Sequence, residues 1–306
     1  MTARDPARRR GGRAGTRAGV WFTAPFTLLF LVFFALPIAY AAWQSLFTER
    51  HGALGLGPAT TVFSGLDNYT RALDDAAFTE GLARVLLFTA VQVPLMTGLA
   101  AVLALLLDQV PRWERLLRTS YFLPYGVPGV VASLLWGFLY VPGLSPIVDL
   151  LDTAGLPSDL LGGDAVLWSV LNIVVWEFAG YNTLVVVAAL KSVPGELYEA
   201  ARIDGAGPWR TAWHIKLPLI RPALGLISVF SIIGGLQLFN EPLVLRQVSS
   251  AITNAWTPNT AAYTQAFDAN NYHLAAAQSV ILAGVAALAA GIFLAVLSYR
   301  ERRTGR

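Results

Sequence analysis

The chain has no cysteine, three histidines and, among 22 basic residues, only two lysines. The missing cysteines exclude a disulfide framework and thiolate chemistry. His51, His214 and His273 fall in three different connections between apolar segments, which argues against a common metal centre. A phosphate-cradling loop needs a Gly-Lys pair, but Lys191 and Lys216 follow Leu190 and Ile215. The chain therefore supplies no nucleotide-binding loop of its own. H-E-x-x-H, G-x-S-x-G and paired intramembrane aspartates are also absent, so covalent catalysis has no support in the sequence.

Charge is scarce too. The 306 residues include 22 basic and 19 acidic side chains, about half the charged fraction of roughly a quarter in an ordinary soluble domain. Mean hydropathy is +0.55. The scarcity is local: segments 20–43, 85–107, 120–141, 165–190, 222–245 and 274–298 contain only Glu177 and Glu241. Each reaches the ~20 apolar residues that cross a hydrocarbon core of ~30 Å. The expected fold is an all-α membrane protein of six transmembrane helices. For the first segment, a cleaved signal peptide is the alternative, since Arg8, Arg9 and Arg10 precede it and Ala39-Tyr40-Ala41 resembles a cleavage site. Its apolar run exceeds the roughly 7–15 residues of a signal core, which favours a span.

Six spans put both termini on one side. The tail 1–19, the connections 108–119 and 191–221, and the tail 299–306 hold 18 of the 22 basic residues. The opposite connections, 44–84, 142–164 and 246–273, hold Arg50, Arg71, Arg84 and Arg246 together with ten acidic residues. The positive-inside bias then predicts cytoplasmic termini in a multi-pass plasma-membrane protein. The isoelectric point near 9.3 does not point to nucleic acid, because the basic residues flank spans and no folded basic domain is visible. The domain reading is one membrane unit over 20–298 between two basic tails. Tail 1–19 is expected to be disordered and held near anionic headgroups.

The connection 191–221, KSVPGELYEAARIDGAGPWRTAWHIKLPLIR, carries the clearest punctuation. Pro194-Gly195 breaks the preceding span, Glu196 and Glu199 suit the first turns of a short helix, and Asp204-Gly205 supplies a stop. Pro208 can open a second helix with Trp209, Ala212 and Trp213 on one face, ending at Pro218. Small residues at Ala200, Ala201, Gly205, Ala206 and Gly207 permit close approach by another backbone, and Glu199 offers a charge for docking. Packing of this loop on its own helices is the plainer alternative.

Glu199-Ala200-Ala201, then Gly205, Ile215 and Leu217-Pro218, resembles in residue and spacing the EAA signature of binding-protein-dependent ABC importer permeases. The segments 63–75, 121–136, 197–209 and 234–245 extend the likeness to the MalF-like permeases of the maltose and glycerol-3-phosphate type. The chain departs from that pattern at Arg84-Val85, where relatives commonly have Asn-Thr, and at 246–253, which lacks their Gly-Gly-Pro stretch.

The resemblance implies a carbohydrate-importing permease subunit, not an enzyme, paired with a second permease. It further implies two ATP-binding-cassette ATPase subunits holding ATP and Mg, and an extracytoplasmic solute-binding protein. Residues Glu199, Ala200, Ala201, Asp204, Gly205, Ala206, Ile215, Leu217 and Pro218 would form a cytoplasmic coupling helix and its turn, between spans four and five, seated in the ATPase. No cofactor or metal is expected on this chain. A polyol, glycerol phosphate or other small polar solute is the alternative cargo.

Polar groups at membrane depth are costly and tend to mark pathways. Glu177, Asn182 and Thr183 in the fourth segment, and Gln237, Asn240 and Glu241 in the fifth, offer donors and acceptors beside aromatic side chains, as sugar hydroxyls and C–H faces require. The resemblance adds Gly180 and places a transmembrane sugar site on these two spans. Interhelical hydrogen bonding is the alternative role for each.

Overall fold

The computed structural model describes residues 11–50, 60–110, 112–163 and 165–303. Arg4, Arg8, Arg9 and Arg10 of the first tail, His51 and residues 304–306 lie outside them.

In chain order the helices are α1 (Gly11–Phe30), which passes through a π turn into α2 (Leu36–Gln44), α3 (Asp67–Asp74) and α4 (Ala76–Leu107). Next come α5 (Glu114–Phe122), α6 (Gly129–Tyr140), α7 (Pro146–Thr153) and α8 (Val166–Lys191). The connection after α8 holds α9 (Gly195–Ile203), α10 (Pro208–Thr211) and α11 (Leu217–Leu219). Then follow α12 (Arg221–Leu236), α13 (Asn240–Leu245), α14 (Pro258–Tyr263) and α15 (Tyr272–Arg303). Since α1 begins at Gly11, the second half of the tail expected to be disordered is helical. A two-stranded antiparallel hairpin, β1 (Phe47–Arg50) with β2 (Thr60–Phe63), pairs Phe47 with Phe63 and departs from the all-helical expectation.

Five helical stretches among the described residues are long and apolar enough to span: Val20–Gln44, Ala76–Leu107, Val166–Lys191, Arg221–Leu245 and Tyr272–Arg300. The third expected span differs. Glu114–Gly126 and Gly129–Tyr140 meet at 96°, so this segment is two helices joined at a sharp bend rather than one straight helix. Pro124 and Pro128 bracket the bend; proline removes a helical N–H and forces the preceding residue, Val127, into an extended conformation (φ −86°, ψ 124°). By contrast, Pro94 lies inside an unbroken α4.

α4 is the hub, packed between α8 and α12, while α15 packs on α12, α14, α3 and α2. Alanines 100, 101 and 104 keep α4 thin, as close helix approach within a membrane requires. One apolar cluster centres on Phe88, Val170, Ile173, Leu245 and Trp256, and another on Ala104, Leu107, Val186, Leu190, Ile220 and Ile227. The Val20–Gln44 stretch buries none of its most apolar window; Phe26, Phe30 and Phe34 stack along it. That apolar surface suits hydrocarbon rather than water.

Candidate functional site

Two regions collect the residues singled out by the sequence. The first is the connection between α8 and α12. α9 ends as expected at Asp204-Gly205, with Gly205 at φ +72°. Ala206 N–H donates to Ala201 O (2.8 Å) and Gly205 N–H to Arg202 O (3.1 Å), the paired bonds of a Schellman stop that needs a left-handed residue at this position. The second helix differs from expectation: Pro218 does not end it. A π turn over Ala212–Lys216 is followed by α11, in which Pro218 occupies the first turn. Leu217 N–H reaches back five residues to Ala212 O, so the backbone is already widened where the proline ring and its missing N–H would disturb a regular helix.

The motif residues divide by exposure. Glu199, Ala200, Asp204 and Gly205 face outward, Ala201 is buried, Ala206, Ile215, Leu217 and Pro218 are half-buried, and Leu217 packs on the Leu107, Leu190 and Ile220 cluster. One half of the motif anchors the loop and the other presents it. Ile203, Trp209 and Trp213 share the exposed surface, with the two indoles stacked at 6.2 Å.

The second region is a cavity of about 450 Å³ between α4, α8 and the broken fifth span. α12 stops at Leu236, Phe239 adopts φ −144° and ψ −54°, and α13 begins at Asn240. Irregular backbone at membrane depth is tolerated where it lines a cavity or is covered by protein. Asn182, Gln237, Asn240 and Glu241 line this cavity with Gln92 and Ser231, and Tyr125, Phe178, Tyr181, Phe230 and Phe239 supply ring faces. Tyr125 stacks on Tyr181 at 4.7 Å and meets Phe178 edge-on. Glu177 lies at the margin: a Cβ on Gly129 would sit 3.5 Å from its Oε1 and 3.4 Å from Asn240 Nδ2, so both side chains converge there. Gln92 Oε1 and Glu177 Oε2 are buried with no hydrogen-bond partner among the described residues. A second cavity of about 620 Å³, against α14 and α15, shares Gln237 and Phe239 with the first.

Gly180 and Thr183 are placed elsewhere. Thr183 is fully buried and donates to Ala179 O of its own helix (2.7 Å), and Gly180 abuts the backbone of Tyr121. Gln92 was missed by sequence reasoning, although a lone amide in VLLFTAVQVPLM is a visible signal. Gly235 brings α12 against it: a Cβ there would lie 2.3 Å from Gln92 Oε1. Among the described residues, no group of three or more potential metal ligands occurs.

Long apolar helices packed around a cavity with a polar lining, with an exposed helical connection between α8 and α12, are the architecture of an integral membrane protein. The chain belongs to the family described as binding-protein-dependent transport system inner membrane component, which it matches over residues 96–301. It is therefore a multi-pass subunit of an ABC importer and a transport component rather than an enzyme.

It is 33% identical over 289 residues to the trehalose transport system permease protein SugA of Mycobacterium tuberculosis, covering 94% of this chain and 91% of SugA. It is 32% identical to the sn-glycerol-3-phosphate transport system permease protein UgpA of Agrobacterium fabrum, covering 85% and 87%. The diacetylchitobiose uptake system permease protein NgcF of Streptomyces coelicolor is 30% identical, with 97% and 88% covered. In fold it matches a chain of a bacterial ABC transporter importing the acidic polysaccharide alginate, at TM-score 0.78 and 19% identity over 96% of this chain and 99% of that one.

Proposed function

We propose that this chain forms, with a second permease, the channel of an importer that takes up a neutral mono- or oligosaccharide released by an extracytoplasmic binding protein. Both termini and loop 191–221 face the cytoplasm, with membrane domain 20–298 between basic tails 1–19 and 299–306. Two separate ATPase subunits hold ATP and Mg, and the exposed half of the EAA motif docks on one of them. The binding protein docks on segments 44–84, 142–164 and 246–273.

The observation that carries the cargo assignment is the cavity lining, where four amides and a carboxylate stand among five aromatic rings. Amides and carboxylates match the paired donors and acceptors of sugar hydroxyls, and rings cover C–H faces. The UgpA relatives favour glycerol phosphate as a second reading. Against it, the residues lining the cavity include no lysine or arginine to pair with a phosphate, the groups that usually hold one. Thermal stabilisation of the cognate binding protein by a panel of neutral sugars, but not by glycerol phosphate, is the expected result. The reverse pattern would replace the sugar with the phosphate.

Alanine at Gln237, Asn240 or Glu241 is expected to lower sugar uptake while leaving ATPase co-purification intact. Each lost hydrogen bond to cargo is worth about 0.5–1.5 kcal/mol, or up to 3 for a charged group, so roughly 2- to 160-fold in uptake at limiting sugar. Unchanged uptake in all three variants removes the cavity from the pathway.

A further inference from the structure

Both lysines of the chain are committed to ion pairs, and both pairs tie the α8–α12 connection to other spans. Lys191, the last residue of α8, pairs with Glu114 in the first turn of α5. Lys216, in the π turn, pairs with Asp108, the residue that caps the end of α4. The second pair is the better shielded, since the Lys216 side chain is 15% exposed against 51% for Lys191, and attraction is screened less as water is withdrawn. The Lys216 ammonium also lies 5.1 Å from the centre of the Tyr198 ring on α9, within cation–π range. The Tyr198 hydroxyl is buried with no hydrogen-bond partner among the described residues. Burial first, and the Asp108 charge second, push its ionisation above the usual range, so the ring meets the ammonium as a neutral phenol. One side chain thus joins α9, the π turn and α4.

The helix at the far end of this junction is the one that carries Gln92 and Met96 to the polar cavity. Those residues lie 16 and 12 positions before Asp108 in an unbroken helix, about 24 and 18 Å along its axis at 1.5 Å per residue. Leu217 and Ile220 also join the loop to the bundle, but apolar contact is non-directional and can slide, whereas an ion pair with a ring behind it fixes register.

We propose that the junction of Lys216, Asp108 and Tyr198 is the link that transmits displacement of the α9 turn to α4 and hence to the cavity wall, with Lys216 as its positioning residue. The proposal rests on the reading that this loop docks on the ATPase. It gives the half-buried face of the loop a role separate from that of Glu199 and Gly205, which face the partner.

The test uses the complete importer reconstituted in liposomes, with this chain, its partner permease, the ATPases and the sugar-loaded binding protein. For Lys216→Glu, ATPase co-purification and basal hydrolysis should persist, while sugar imported per ATP falls about 5- to 10-fold, the lower range of inter-site coupling. Lys216→Arg and the exchanged pair Asp108→Lys with Lys216→Asp should restore most of the ratio. An unchanged ratio in Lys216→Glu overturns the proposal. So does loss of assembly in Lys216→Glu that neither Lys216→Arg nor the exchanged pair repairs, because the pair is then a folding contact only. If the wild-type complex hydrolyses ATP and imports no sugar, the importer reading falls and takes the link with it. If wild type and Lys216→Glu import equally, the link alone falls.

Discussion

Replacing Gly205 with leucine is expected to reduce ATP-driven uptake roughly 5- to 30-fold, the population change that one to two kcal/mol produces. The strain arises in the backbone. Gly205 sits at φ +72°, where an L-residue with a Cβ costs about 1–2 kcal/mol, and nothing among the described residues lies within 4 Å of a Cβ built there. A Cβ therefore meets no internal clash; the substitution weakens the Schellman stop that turns the chain from α9 into α10. Asparagine, which tolerates the left-handed region, should retain most of the uptake. If asparagine fails as badly as leucine, the turn is required for close approach by a partner backbone rather than for its conformation.

Glu199→Lys gives a companion result, because Glu199 is exposed and forms no ion pair among the described residues. A surface change of this kind alters stability by within about 0.5 kcal/mol, so loss of ATPase co-purification or of substrate-stimulated hydrolysis would report on the partner contact. If both persist in Glu199→Lys and in Gly205→Leu, the loop is not the coupling element.

What could be read from the sequence was whatever is periodic or punctuated. Long uncharged runs located five of the long apolar helices, and the break at Pro194-Gly195 and the stop at Asp204-Gly205 flank α9. Two features needed the third dimension. The bend at Pro124 and Pro128 is signalled by composition, but its 96° depends on how α5 and α6 pack on α8. The division of EAA residues into an exposed half and an anchoring half depends on where Leu107 and Leu190 fall across the bundle. In the cavity, Asn182, Gln237, Asn240 and Glu241 were visible as polar residues in apolar runs. Thr183 carried the same signal and proved to satisfy its own helix, because a hydroxyl can bond the carbonyl four residues back and an amide in mid-helix has no such outlet. Lys216 and Asp108 are 108 positions apart, and no local pattern joins them.

The second large effect is expected at Gly180, and it concerns folding rather than cargo. A Cβ at this position would lie 1.7 Å from Tyr121 O, 2.4 Å from Tyr121 C and 2.9 Å from Phe122 N. These are backbone atoms at the end of α5, so no side-chain rotation relieves the overlap, and α8 must move away from the bent third span. Overpacking of this kind typically destabilises by about 1–3 kcal/mol and occasionally more. Gly180→Ala should therefore lower the thermal stability and the membrane abundance of the assembled permease, and Gly180→Leu should abolish accumulation. The displacement also pulls Tyr181 from Tyr125 and loosens the Phe178 contact, so any surviving Gly180→Ala protein should bind cargo weakly through a distorted aromatic wall. Thr183→Val, a near-isosteric change at a site bonded only to its own helix, is the control and should leave abundance and uptake close to wild type. A Gly180→Ala permease as stable as wild type but deficient in uptake would instead mean that the glycine opens space for the sugar itself.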